Sequence, residues 1–253
     1  MVRNTSAFVL MLVLLMSVPG CGKNSTPRVQ ASSKSATETT PIDAATAATI
    51  GGSVTFDGTP PKPKRIDMSN DPGCKGEAAS EQVVVDDGHL ANVLVYVKGG
   101  LGGRTFAPPK QSVTIKEVGC QYVPHVAAVM TGQPIRFEDT DQTLHNAHLM
   151  PKQNRAWNQS QMPNSQPMDK SFDNPELMIP VKCNQHPWMN MYLNVIANPF
   201  FAVTGKDGKF SLQGLPPGTY VIAAVHEKFG EQDQTITVGA KQDKNDVEFT
   251  YKP

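Results

Sequence analysis

Short runs rich in β-branched and aromatic residues, each closed off by Gly, Pro, Asn, Asp or Ser, recur along most of the chain. They are SVTF at 53, QVVV at 82, NVLVYV at 92, SVTI at 112, PIRF at 134, YLNVIA at 192, FFAVT at 200, KFSL at 209, TYVIAAVH at 219, QTITV at 234 and VEFTY at 247. Sustained helical periodicity is absent. Runs this short and this often interrupted read as strands, and an all-β chain must bury one face of each sheet by closing into a sandwich or barrel. The 21 prolines and 20 glycines supply the turns.

Ahead of these runs the composition changes twice. Arg3, an apolar run from Ala7 to Met16 and then SVPGC have the layout of an export signal, and ten apolar residues are too few to span a bilayer. The stretch resembles a bacterial lipoprotein signal, which implies removal of residues 1–20 and a lipid on Cys21; Val18 and Gly20 fit that pattern and Pro19 departs from it. Residues 21–48 hold mostly Ser, Thr, Ala and Pro and read as a flexible tether. Without Arg3 the mature chain has 22 basic against 23 acidic side chains, a balance that gives nucleic acid nothing to bind. The expectation is an extracytoplasmic protein held to a bacterial membrane through Cys21, in a compartment that permits disulfides.

The chemistry concentrates in KCNQHPWMNM, residues 182–191. Cys183, His186 and Met191 stand as C-x2-H-x4-M just ahead of a strand, and thiolate, imidazole and a distant thioether are three of the donors a blue-copper site uses. The second imidazole has a source in GQPIRFEDTDQTLHNAHLMP, where a strand and an acidic turn containing Asp141 lead to His145 and Asn146. His148 and Met189 are alternative donors. Three positions apart on an extended strand, His145 and His148 face opposite sides, whereas Met189 and Met191 share a face.

These residues together resemble the plastocyanin-like cupredoxins over about residues 118–197. The resemblance implies a Greek-key sandwich holding copper through His145, Cys183, His186 and Met191, with Asn146 bracing the ligand loops. It also implies a one-electron carrier rather than an enzyme, serving a redox protein such as a c-type cytochrome. His186, between a ligand loop and Pro187–Trp188, is the expected edge for electron exit. Residues 151–176, polar and proline-bearing, give few strand signals and read as a long loop over the site.

Cys74 and Cys120 remain, and in an oxidising compartment they pair most simply as a disulfide. The rival use of Cys120 is a second metal site with His125, joined by His148. Residues 198–253, with KDGKF and LPPGTY as turns, resemble the carboxypeptidase regulatory-like or transthyretin-like sandwich, seen also as an accessory domain of rhamnogalacturonan lyase. Residues 49–117 look like the opening strands of that same sandwich, so the copper unit is either inserted into it or shares a sheet with it. His226 and Glu227 read as a surface hydrogen-bonding pair. Two other functions fit these features: a copper carrier or store, and a carbohydrate- or protein-binding surface module.

Overall fold

A computed structural model describes residues 39–253 of the chain; Cys21, the export signal and most of the tether lie outside the described residues. Among the described residues the structure is all-β, with no helix. Its strands, in chain order, begin with β1 (Ala48–Phe56), β2 (Arg65–Ile66), β3 (Ala78–Ala79), β4 (Val85–Asp86), β5 (His89–Leu90) and β6 (Leu94–Gly99). Next come β7 (Val113–Val118), β8 (Gln121–Val123), β9 (Val126–Met130), β10 (Ile135–Asp139), β11 (His145–Leu149), β12 (Trp157–Gln161), β13 (Met168–Lys170), β14 (Glu176–Lys182) and β15 (Asn190–Ile196). The chain ends with β16 (Phe201–Val203), β17 (Lys209–Leu215), β18 (Gly218–His226), β19 (Gly230–Val238) and β20 (Lys244–Tyr251).

Two sandwiches result, one interrupting the other. The outer one stacks the sheet β17-β1-β5-β4, with β20 parallel to β1, on the sheet β16-β6-β18-β19. Each sheet draws strands from both ends of the described chain, and they share a core including Ile50, Val95, Phe200, Leu212, Ile222 and Phe249. Gly52 is needed where β1 and β20 touch: a Cβ there would lie 1.7 Å from the Val247 carbonyl oxygen. Everything from β7 to β15 is inserted between β6 and β16, which pair antiparallel, Tyr96 opposite Phe201. The insert therefore leaves and re-enters the outer sandwich at adjacent strands.

The inserted sandwich packs the sheet β13-β10-β7-β8 on the sheet β12-β11-β14-β15-β9. Alternation sets its core: Ile115 on β7 and Ile135 and Phe137 on β10 point inward, against Leu149, Val181 and Leu193 of the facing sheet. The boundary expected between residues 117 and 118 falls inside β7, which pairs with β10 and so belongs to the insert. The segment at 151–176 is not one long loop, since it forms the edge strands β12 and β13, one in each sheet. Three successive residues of β12 are exposed, so the strand lacks the apolar alternation that would mark it in sequence. A third apolar cluster, Leu94, Ile196 and Val225 with Leu177 and Phe201 packed on it, joins the two sandwiches.

Candidate metal centre

His145 opens β11, and Cys183 follows the end of β14, so the β11–β14 pairing, His148 opposite Lys182, brings both to the same end of one sheet. The chain then turns back into β15, its loop closed by bonds from Met189 N to His186 O at 2.9 Å and Cys183 N to Met189 O at 3.2 Å. Three donor atoms converge: His145 Nδ1 and His186 Nδ1 are 2.9 Å apart, and Cys183 Sγ lies 3.7 Å from His186 Nδ1 and 4.0 Å from His145 Nδ1. His145 is 0 %, His186 2 % and Cys183 4 % exposed. For one ion at ordinary metal–nitrogen and metal–sulfur lengths with tetrahedral to trigonal angles, sulfur-to-nitrogen gaps are about 3.6–3.8 Å and nitrogen-to-nitrogen gaps about 3.3–3.6 Å. The sulfur distances are close to that range already, and the two imidazoles need part only by a few tenths of an ångström. The donor set fits a soft or borderline transition metal.

Each imidazole is held from behind. His145 Nε2 is 3.0 Å from Asp141 Oδ2, and His186 Nε2 is 2.8 Å from Asp71 Oδ2. A carboxylate accepts from Nε2–H, which leaves Nδ1 as the donor atom toward the centre. Asp141 also takes the Gly119 and Cys120 amides, at 2.7 and 2.8 Å. Those two residues, both at positive φ, form the tight turn between β7 and β8 that Gly119 makes possible. Asn146 ties the ligand loops together: its Oδ1 accepts from Asn184 N at 2.6 Å and sits 3.6 Å from Cys183 Sγ, while Tyr122 Oη donates to its carbonyl at 2.6 Å.

The methionines separate by register. Val181 pairs with Met191 and Lys182 with Asn190, so one further step sets Met189 opposite Cys183, the pair already linked through Cys183 N and Met189 O. Opposed residues of an antiparallel ladder share a face. Met189 is therefore the cross-strand neighbour of the thiol, and Met191, expected as the thioether donor, is packed beside Val181 about 7 Å further along the strand. Both are buried in the insert's core.

The other sequence candidates lie elsewhere. His148 faces outward, its Nδ1 3.0 Å from Asn184 Oδ1. His125 is buried at the junction of the two sandwiches, paired with Glu227. Glu227 and His226 are not at the surface: the His226 ring is 1 % exposed, stacked on Phe229, with Nδ1 accepting from Lys228 N. Cys120 is bonded to Cys74, which leaves Cys183 as the free thiol among the described residues and removes Cys120 as a thiolate partner of His125. The expected electron edge is also covered, because Asp71 caps His186. The half-buried Trp188 packs on His186, its ring 5.1 Å from the imidazole and its Nε1–H donating to Cys120 O.

Acidic groups surround the centre. Asp71 is held down to about 2, first by the Thr143 hydroxyl and then by His186 and the Gly73 amide. Glu117 and Asp139, register partners on β7 and β10, both point inward. Burial, then the charges of Asp139 and Asp141, push Glu117 up to about 8, and neither of its carboxyl oxygens has a partner. Sequence reading missed Asp71 and Glu117. Asp71 is 115 positions from the histidine it holds, and Glu117 shows only as the inward acid of an alternating strand.

No protein-family model matches the chain, and no curated protein matches it. Among solved structures it is similar to a copper-containing nitrite reductase from Thermus scotoductus (19 % identity, TM-score 0.32), over 39 % of this chain and 25 % of that one. The chain thus spans about a quarter of the reductase's length. A purple cupredoxin from Nitrosopumilus maritimus is 15 % identical with TM-score 0.29, over 33 % of this chain and 98 % of that one. An oxidised amicyanin variant is 14 % identical with TM-score 0.31, over 40 % and 97 %.

Proposed function

We propose that the chain is an exported one-electron carrier whose inserted sandwich holds a single copper ion. The observation that carries this reading is the convergence of buried Cys183 Sγ with the Nδ1 atoms of buried His145 and His186, each imidazole pinned by a carboxylate. Copper in such a thiolate–imidazole set supplies a Cu(I)/Cu(II) couple. Cys183, His145 and His186 are the strong donors, and Met189, rather than Met191, is the weak thioether. The chain's own contribution is rigidity: the ends of three strands of one sheet, a disulfide and two carboxylates hold the donors in place, so little rearrangement accompanies a change of charge. With the three strong donors buried, a carrier is favoured over a catalyst, which needs an open coordination position. Trp188 is the side chain best placed to pass electrons to a redox partner protein such as a c-type cytochrome. The Cys74–Cys120 disulfide supports a location outside the cytoplasm, with Cys21 as the lipid anchor.

The test is a copper titration of the metal-free protein followed by absorption spectroscopy. One equivalent of Cu(II) should give an intense visible thiolate-to-copper band that reductant bleaches and oxidant restores. Uptake without that band, or uptake of Cu(I) alone, would turn the reading toward a copper carrier or store. No uptake at all would leave the surface-module alternative.

A further inference from the structure

Asp71 belongs to no motif and to neither sandwich. It lies on a strap between β2 and β3 that crosses the metal end of the insert. Met68 and Ala78 sink into the insert's core on either side of it, and Cys74, three residues on, is bonded to Cys120. The strap's own turn, with Asp71 N on Met68 O at 3.2 Å and Cys74 N on Asp71 O at 3.0 Å, fixes the backbone. Both carboxyl oxygens are then committed. Oδ1 accepts from Gly73 N at 2.7 Å; Oδ2 accepts from Thr143 Oγ1 at 2.6 Å and from His186 Nε2 at 2.8 Å. Gly73 has no room for a side chain, since a Cβ would lie 2.8 Å from Thr143 Cβ.

We infer that Asp71 is the positioning residue for His186, fixing the imidazole with Nε2 protonated and Nδ1 turned toward Cys183, and setting a permanent negative charge one ring away from the metal. This rests on the copper reading of the same site. The two carboxylates are not equivalent. Asp141 reaches His145 within its own turn, four residues away, whereas Asp71 reaches His186 across 115 positions and only through the strap. Both nevertheless converge on the disulfide-bridged turn, Asp141 through the Cys120 amide and Asp71 through Cys74. Removing such a partner behind a metal-binding imidazole weakens metal binding by roughly 10–100-fold. The loss should fall mainly on Cu(II), because a fixed negative charge favours the more positive ion, so the reduction potential should rise.

The experiment compares wild type, Asp71→Asn and Thr143→Val. The first keeps the side chain's shape and removes its charge; the second removes the other hydrogen bond to the same oxygen and keeps the carboxylate. Copper(II) affinity is read by chelator competition, the potential by redox titration, and the His186 tautomer in metal-free protein by nitrogen NMR. Asp71→Asn should bind Cu(II) about 10–100-fold more weakly at a raised potential and lose the fixed Nε2–H form of His186, while Thr143→Val stays near wild type in all three. If wild type binds copper and Asp71→Asn matches it in affinity and potential, the inference is overturned; equal losses in both variants would overturn it too, by showing a merely structural strap. If wild type takes no copper, the copper reading falls and the metal-free tautomer decides: a change at His186 in Asp71→Asn upholds the role of Asp71, and no change overturns it.

Discussion

Met189 and Met191 are two residues apart, the first just ahead of β15 and the second within it, yet one step beyond the last ladder pair it is Met189 that meets Cys183. Met189→Leu should keep the coloured site and shift its potential, since only a weak axial bond is lost. Met191→Leu should leave spectrum and potential near wild type and cost under about 1.5 kcal/mol of stability, as volume-conserving core swaps do. Parallel spectra and redox titrations check both, and the reverse pattern would restore Met191 as the donor. Cys183→Ser should abolish the visible band altogether. Residue types and spacing singled out Cys183, His186 and His145 in the sequence, because a thiol and an imidazole at a strand-to-strand turn have a recognisable chemistry, and the fold brings the three together. Which methionine lies across from the thiol was not legible. It depends on the register of β14 against β15, which spacing along one strand does not contain.

The strap between β2 and β3 is a long excursion that a two-residue pairing, Arg65 with Ala79 and Ile66 with Ala78, closes at its base. Its covalent tie, Cys74–Cys120, spans 46 positions, and a loop of that length corresponds to about 4 kcal/mol in the chain-entropy account. The double variant Cys74→Ala, Cys120→Ala should lose on the order of 2–4 kcal/mol in urea denaturation; an unchanged midpoint would mean the apolar anchors Met68 and Ala78 already hold the strap. The sequence showed that two cysteines were left over to pair, but not what their pairing would carry over the Cys–His cluster. Strands β12 and β13 were hidden for a related reason. They are edges defined by backbone partners, and the polar side chains they expose look like loop to any reading of hydrophobic period.

Across the whole molecule two buried ionisable groups pull stability in opposite directions with pH. Burial holds His226 down to about 4, so between pH 6.5 and 4 the unfolded chain takes up a proton that the folded chain refuses. Its contribution is present above pH 6.5 and is lost as pH falls toward 4, roughly 3 kcal/mol in all. Glu117, raised to about 8, keeps its proton when folded, so its contribution is present below pH 4.5 and is lost as pH rises through 8, roughly 5 kcal/mol. Glu117→Gln, measured metal-free, should therefore match wild type near pH 4 and exceed it increasingly up to pH 8. His226→Phe should flatten the acid side. A Glu117→Gln curve parallel to wild type throughout would show that the carboxyl is ionised in the fold. At the junction, His125→Ala would leave Glu227 buried without its partner and should cost about 3–5 kcal/mol by denaturation.

The insertion also imposes an order of assembly. Thr55 on β1 meets Glu248 on β20, 193 positions later, so the outer sandwich cannot close until the last strand exists. The insert's strands are all present once β15 has been made. Contacts between distant parts of a chain pay their loop-closure entropy late and form slowly. The inserted half, with its Cys–His cluster, is thus poised to mature first, with its scaffold still open around it, and stopped-flow refolding should show burial at Trp157 and Trp188, both in the insert, ahead of the signal from β20. A chain cut before Lys244 would strand β1 without its parallel neighbour. The damage would then appear at residues made first, a long way from the cut.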